Sequence, residues 1–150
     1  MGLIGDFMDA DHEFLDKLWL EFLKEDVEND NASVLFKRFQ KYISMHISLE
    51  DNFLFPRFDE HFGFENETGP TTVAHRDHGN IIKLMDMIKE NFLNDDVENS
   101  KVNGRHLHEA LEKHRRRELE IQYKLLDDFI SSKEWREALM KFYGKETPRE

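Results

Sequence analysis

The chain has 150 residues, a mass of 18.0 kDa and no cysteine, and 32 acidic against 21 basic residues give a formal charge of −11. That charge excludes phosphate neutralisation on nucleic acid and binding to an anionic membrane surface. The missing cysteines exclude disulfides, Cys-based zinc sites, iron–sulfur clusters and thiol nucleophiles, so any metal must be held by His, Asp or Glu. No apolar run approaches about 18 residues and no basic-then-apolar leader opens the chain, so a cytoplasmic protein of one domain over 1–150 is expected.

Apolar residues recur at three and four throughout, which predicts an all-α fold of four long helices and a short fifth. The first helix is expected over 6–24, followed by a polar, acidic loop over 25–33 with Asn31 or Ser33 as a candidate N-cap. The second spans 34–61, with Pro56 inside it. A connection over 63–70, punctuated by Gly69-Pro70, leads to the third helix over 71–92. A second polar loop over 94–103, closed by Gly104, precedes the fourth helix over 104–130. Ser131-x-x-Glu134 is a capping-box pattern that opens the fifth helix, about 132–143, which Gly144 stops. The tail from Lys145 is polar.

The two halves of the chain resemble each other. Asp26-Val27-Glu28-Asn29 recurs as Asp96-Val97-Glu98-Asn99, Asp11-His12 as Asp77-His78, and His46-x-x-x-Glu50 as His114-x-x-x-Glu118. A repeated helix pair predicts an up-down-up-down four-helix bundle with a pseudo-twofold axis.

The bundle core can be read from the seams. They run Met8, His12, Leu15, Trp19, Phe22; then Phe36, Phe39, Ile43, His46, Glu50, Phe53; then His78, Ile81, Met85, Ile88, Phe92; and last Leu107, Leu111, His114, Glu118, Ile121, Leu125. Four His and two Glu therefore stand where Leu is expected. A single buried His is ordinarily a hydrogen-bonded core residue. Six polar residues repeated in order point instead to a metal, because a buried carboxylate without compensation costs several kcal/mol. Residues at i and i+4 share a helix face, so each His-x-x-x-Glu pair can chelate, and Glu50 and Glu118 can bridge two ions. A metal-free helical interaction domain would have to bury both carboxylates uncompensated.

His75 lies three residues before His78, about 60° away around the helix. It is either a third nitrogen ligand on that side or a helix-start residue. His61, His106 and His108 fall outside the repeat, and Arg115-Arg116-Arg117 reads as a solvated face. Glu-x-x-His pairs of the ferritin type and a His-Glu-x-x-His zinc motif are absent from the sequence.

The order of His12, His46/Glu50, His78 and His114/Glu118, with Phe53-Leu54-Phe55-Pro56 after the first pair, resembles the hemerythrin-like, or HHE cation-binding, domain family. The resemblance covers about 6–130. It implies a non-haem di-iron centre with an oxo or hydroxo bridge inside a four-helix bundle. One ion would be held through His12 and His46, the other through His78 and His114 with His75 as a candidate, and Glu50 and Glu118 would bridge them. It further implies binding of O2 or a related small diatomic for carriage, sensing or storage, in an apolar pocket expected around Trp19, Phe39, Phe53 and Ile81. The symmetrical His-x-x-x-Glu pairs are similar to a branch associated with nitric-oxide response and iron-centre repair. The alternative is therefore a nitric-oxide- or peroxide-reactive or iron-handling protein served by an unknown electron-transfer partner.

Overall fold

The computed structural model describes residues 2–25, 30–64, 69–118 and 122–144. Its helices are α1 (Leu3–Lys24), α2 (Asp30–Leu49), α3 (Phe55–Phe62), α4 (Pro70–Leu93), α5 (Val97–Arg117), α6 (Tyr123–Phe129) and α7 (Ser132–Tyr143), and the described residues contain no strand. A π-helical turn, Glu50–Leu54, joins α2 to α3 without a break, because Leu49, Leu54 and Phe55 all keep right-handed helical torsions. The four rods of the expected bundle are thus α1, α2 with α3, α4, and α5 with α6. No described helix is long and apolar enough to cross a membrane.

Several boundaries differ from the sequence reading, each for a local reason. The α2 helix is already formed at Asp30, so Asn31 and Ser33 lie within it. The expected loop over 94–103 is mostly helix: Asp96 caps α5, its side chain accepting from the Asn99 backbone N–H at 3.2 Å, and Val97 to Asn103 belong to α5. The chain reverses before it at Asp95, whose φ is +53°. The repeat partner 26–29 and the tail 145–150 lie outside the described residues. Pro56 has no N–H to give and crowds the carbonyl four residues before it, and the turn that precedes it is the widened one. There the Phe55 N–H reaches back to the Glu50 carbonyl, five residues away. In the expected rod over 104–130, Glu118 and Gln122 themselves are π-helical.

The seams shift beyond these points. Up to the His and Glu residues every expected seam position is buried or partly buried. Beyond Glu50 the core is taken by Leu54, Phe55 and Phe58, with Phe53 only partly buried. Beyond Glu118 it is taken by Gln122, Tyr123 and Leu126, whereas Leu125 is only partly buried and Ile121 lies outside the described residues.

Two apolar clusters result. One is built on Trp19, Phe22, Phe36, Phe39, Ile81 and Ile88. The other is built on Met8, Leu54, Phe55, Tyr123, Leu126 and Trp135. The six polar seam residues form a layer between them. Helix α7 belongs to the second cluster through Trp135, Ala138 and Tyr143. Its capping box forms as expected, Ser131 Oγ accepting from the Glu134 N–H at 3.2 Å, and Gly144 ends it at φ +57°. Asp127 of α6 caps α1 across the bundle, accepting from the Ile4 and Gly5 N–H groups at 2.8 and 3.0 Å. Such charge-assisted bonds at a helix N-terminus fix where the two rods meet.

Gly104 is not a helix start. It sits buried inside α5, where the Trp19 indole N–H donates to its carbonyl at 2.8 Å. A Cβ there would lie 2.9 Å from the Leu23 Cδ2 and 3.7 Å from the Trp19 ring. Gly104→Val is therefore expected to destabilise by about 1–3 kcal/mol through overpacking of α1 against α5. Gly79 is the contrast: it is exposed in α4, and a Cβ there would meet nothing within 4 Å. Gly79→Ala should stabilise by roughly 0.5–1 kcal/mol. Urea melts of the two variants check both signs.

Candidate metal centre

The i, i+4 spacing puts His46 and Glu50 on one face at the α2–π junction and His114 and Glu118 on one face at the end of α5. His12 of α1 and His78 of α4 meet them at the same level. All six are buried, with exposures between 0 and 8%. Glu50 Oε1 lies 3.0 Å from His46 Nε2, 3.3 Å from His78 Nε2 and 3.7 Å from His114 Nε2. Glu118 Oε1 touches His114 Nε2. The His12 and His46 rings are 4.5 Å apart, as are those of His78 and His114. Two sets have donor atoms close enough to share one ion: His12, His46 and Glu118, and Glu50, His78, His114 and Glu118. Glu118 is common to both.

Three aspartates aim the imidazoles. His46 Nδ1 donates to Asp11 at 2.8 Å, His78 Nδ1 to Asp51 at 2.8 Å, and His114 Nδ1 to Asp77 at 3.2 Å. Such outer hydrogen bonds fix the tautomer and leave Nε2 facing the centre. The repeated Asp-His pairs thus work crosswise: Asp11, beside His12, holds His46, and Asp77, beside His78, holds His114. The Tyr143 hydroxyl of α7 also donates to Asp11, at 2.8 Å.

The Tyr123 hydroxyl contacts Glu50 Oε2 at 3.0 Å and also Glu118 Oε2. A phenol has one proton to give, so the two carboxylates share it. Burial, and then the Glu50 charge, push this phenol well above its ordinary value, so it remains a donor.

Protonation of the metal-free site follows from these contacts. Burial alone would lower His46, but Glu50 and Asp11 raise it to about 10. Burial opposes His78 too, and Asp51 and Glu50 raise it to about 9. Burial, and then His46, hold His12 well below its usual value. Burial would raise Glu50, yet His46 and the other imidazoles around it hold the carboxyl well below its usual range. His78 Nε2 and His114 Nε2 are hydrogen-bonded to each other at 2.9 Å. With both Nδ1–H groups committed to aspartates, one of these rings must carry a second proton.

The site fits a cation better than it fits itself. His12 Nδ1 and Nε2, His46 Nε2, Glu50 Oε1 and Glu118 Oε1 are all buried without a hydrogen-bond partner. Buried polar atoms are ordinarily hydrogen-bonded, so a group of them left without such bonds, with donors of neighbouring residues within 4.8 Å of one another, marks something to be held. The donors are imidazole nitrogens and carboxylate oxygens, a set that suits iron, manganese or zinc.

The remaining histidines stand apart from this layer. His75 is 47% exposed, its Nδ1 3.0 Å from the Asp51 carboxylate that accepts from His78. His61 stacks on Phe129 at 3.9 Å, His106 is exposed, and His108 lies 3.4 Å from Asp16. Arg115 pairs with Asp9 and Arg117 with Asp77, as a solvated basic face would.

Sequence reasoning missed Asp11, Asp51, Asp77, Tyr123 and Tyr143. A signal existed for the aspartates, since each adjoins a seam His or Glu. None existed for Tyr123, which lies off the expected seam and is nevertheless fully buried.

A small cavity of about 20 Å³ adjoins the layer, walled by Leu15, Ile43, Ile47, Ile81 and Leu111 and reaching His12, His46 and His114. Of the residues expected to build the pocket only Ile81 does so. Trp19 and Phe39 pack in the first apolar cluster, and Phe53 lies against the second.

The family model described as the hemerythrin HHE cation binding domain matches residues 3–126. The chain belongs to the hemerythrin HHE cation-binding family. Neither curated proteins nor solved structures gave a significant match. In this hemerythrin-like helical bundle the buried His/Glu cluster is a metal-binding site. Helix α7 lies beyond the matched span, yet it reaches the site through Tyr143.

The raised His46 and His78 make a prediction about the metal-free protein. Groups whose folded pKa exceeds the unfolded value near 6.5 stabilise most below that value and lose their contribution as pH rises toward 9 and 10. The metal-free protein should therefore lose melting temperature between pH 7 and pH 10. Metal loading at pH 7 should release protons, because ligating imidazoles must give them up. Calorimetric titration in buffers of different ionisation enthalpy measures that release.

Proposed function

We propose that this protein holds two iron ions and binds O2, or a related small diatomic, at that centre. His12, His46 and Glu118 would hold one ion and Glu50, His78, His114 and Glu118 the other, with Glu50 also within reach of His46. The observation that carries the reading is that His12, His46, Glu50 and Glu118 each bury a nitrogen or oxygen that makes no hydrogen bond, in sets whose donor atoms lie close enough to share an ion. Two bridging carboxylates offset much of the charge of two divalent ions, which makes their burial tolerable. A bound iron pair would supply reversible redox chemistry and a coordination position open to a small ligand.

The chain's own residues do the rest. Asp11, Asp51 and Asp77 hold three imidazoles so that their lone pairs stay aimed inward. The apolar wall of Leu15, Ile43, Ile47, Ile81 and Leu111 excludes bulk water from the His12/His46 side and leaves room for about one water-sized guest. His12 is the one imidazole of the four whose ring makes no hydrogen bond. The position that follows Glu50 is Asp51, but Leu119 follows Glu118, so the repeat supplies no second such carboxylate. The His12 side is thus the less constrained, and the cavity opens beside it.

A second reading, reductive turnover of peroxide or nitric oxide, draws on Tyr123, whose protonated hydroxyl touches both carboxylates and can deliver a proton to the site. Anaerobically reduced, iron-loaded protein exposed to O2 separates the two. A stable visible spectrum that reverses under vacuum supports binding. Bleaching with turnover of added peroxide, slowed in Tyr123→Phe, supports the second reading.

Elemental analysis is expected to give about two irons per chain, in line with the two donor sets. Glu118→Ala should reduce this toward one or none. Two retained irons with an unchanged charge-transfer band would remove Glu118 from the site. Saturating metal should raise stability by roughly 4 kcal/mol at a thousand times Kd. Equal melting temperatures with and without iron would argue against all six ligands.

His75, exposed and paired with Asp51, serves in this reading as an outer partner. His75→Ala should keep the parent iron content and azide affinity. Loss of an iron in that variant would make His75 a ligand.

A further inference from the structure

A sealed centre raises the question of how an ion reaches it. The six residues of the polar layer are at most 8% exposed. We propose that Asp16, His108 and Glu112 form a second, solvent-facing divalent-cation site that captures ions and passes them inward between α1 and α5. The destination of the ion rests on the metal centre proposed for the six buried residues, but the outer site stands on its own residues.

Those residues have ligand spacing. His108-x-x-x-Glu112 is a third His-x-x-x-Glu pair, on the same helix as His114-x-x-x-Glu118, so both side chains share one face of α5. Asp16 lies one helical turn beyond His12 on α1 and faces them. Donor atoms of the three lie within 4.8 Å of one another. The side chains of His108 and Asp16 are 30% and 28% exposed, and His108 Nδ1 is 3.4 Å from Asp16 Oδ1. Both of these atoms are nevertheless shielded from solvent and make no hydrogen bond. A surface His–Asp pair held for its own sake would close that bond. This pair is in ion-pair contact without closing it.

Asp16 and Glu112 line the same small cavity as His12, His46 and His114, so the outer cluster adjoins the buried layer. Arg115 also lines the cavity, but its charge is answered by Asp9 at 3.0 Å and Glu13 at 3.9 Å. The net charge of −11 draws cations to the surface, and a mixed nitrogen and carboxylate set selects divalent ones. Three ligands, half-exposed, bind more weakly than the buried layer, as a transfer site must.

The other exposed carboxylate and imidazole near the centre, Asp51 and His75, make a poorer inlet. Their donors also lie within ligand distance of one another and of His78, but Asp51 Oδ1 already accepts from His78, the residue it orients.

The experiment mixes metal-free protein with limiting Zn2+ and follows uptake against a coloured chelator. Asp16→Asn with His108→Gln, and separately Glu112→Gln, should slow uptake about tenfold or more while leaving the final occupancy of the centre unchanged. Wild-type protein should also bind a further, weaker Zn2+ after the centre fills, and the variants should not. Glu109→Gln, an exposed neighbour outside the cluster, should load at the parent rate. An unchanged uptake rate in both cluster variants overturns the proposal, whether or not the weaker ion is lost, and so does slowing confined to His75→Gln. Wild-type protein that takes up no Zn2+ at the centre overturns the metal reading itself, a different result from unaltered uptake in the variants.

Discussion

Two carboxylates buried in the middle of a helical bundle are the constraint on which this structure turns. Glu50 and Glu118 are fully enclosed, and neither has an Arg or Lys against it among the described residues. Everything nearby answers that charge. Four imidazoles surround it, three aspartates orient the imidazoles, and one phenol donates to both carboxylates. The layer separates two apolar clusters that would otherwise form a single core, and stability is drawn from the clusters while the layer is reserved for chemistry. That division explains how the chain can carry six ionisable residues at seam positions and still fold: each cluster has its own aromatic centre, Trp19 and Phe22 in one, Phe55 and Trp135 in the other.

The pseudo-twofold arrangement is imperfect in an informative way. Within each half the aspartate of one helix orients the histidine of the next, Asp11 holding His46 and Asp77 holding His114, while Asp51 of the first half holds His78 of the second and ties the two helix pairs together at the centre. The symmetry fails at His12, which lacks the carboxylate that the other three imidazoles have. The same side borders the cavity. A bundle with two equal halves would offer two equal ion environments. This one offers a braced side and a looser side, and the looser side has room beside it.

Most of the fold and the centre was legible in the sequence because seam periodicity is a strong signal and six polar residues interrupt it in phase. His12, His46, Glu50, His78, His114 and Glu118 could be placed on one level by counting turns. What failed did so where counting turns fails. The wide turn at Glu50–Leu54 moves the later core positions round by a residue, so Leu54 and Phe55 are buried where Phe53 was expected, and beyond Glu118 Leu126 is buried where Leu125 was expected. A polar stretch reads as loop until one sees that Asp96 caps it, which hid the first two turns of α5. The crosswise partners needed a third dimension, since nothing in the order of residues says that Asp11 serves His46 and not His12. The pocket walls were misplaced for a simpler reason: large aromatics on a seam fill space, and the gap is left among Leu and Ile.

The π turn has a further consequence. In an unbroken α-helix one phase serves the whole length, so the residues that bind and the residues that pack must obey the same angular register. The wider turn at Glu50–Leu54 resets that register just after the carboxylate. Upstream, side chains answer to the polar layer. Downstream, Leu54, Phe55 and Phe58 answer to the second cluster. The two vocabularies can therefore drift separately: the core beyond the turn can be rewritten by substitution while the chelating face keeps its spacing, as though the rod of α2 and α3 were two short helices laid end to end.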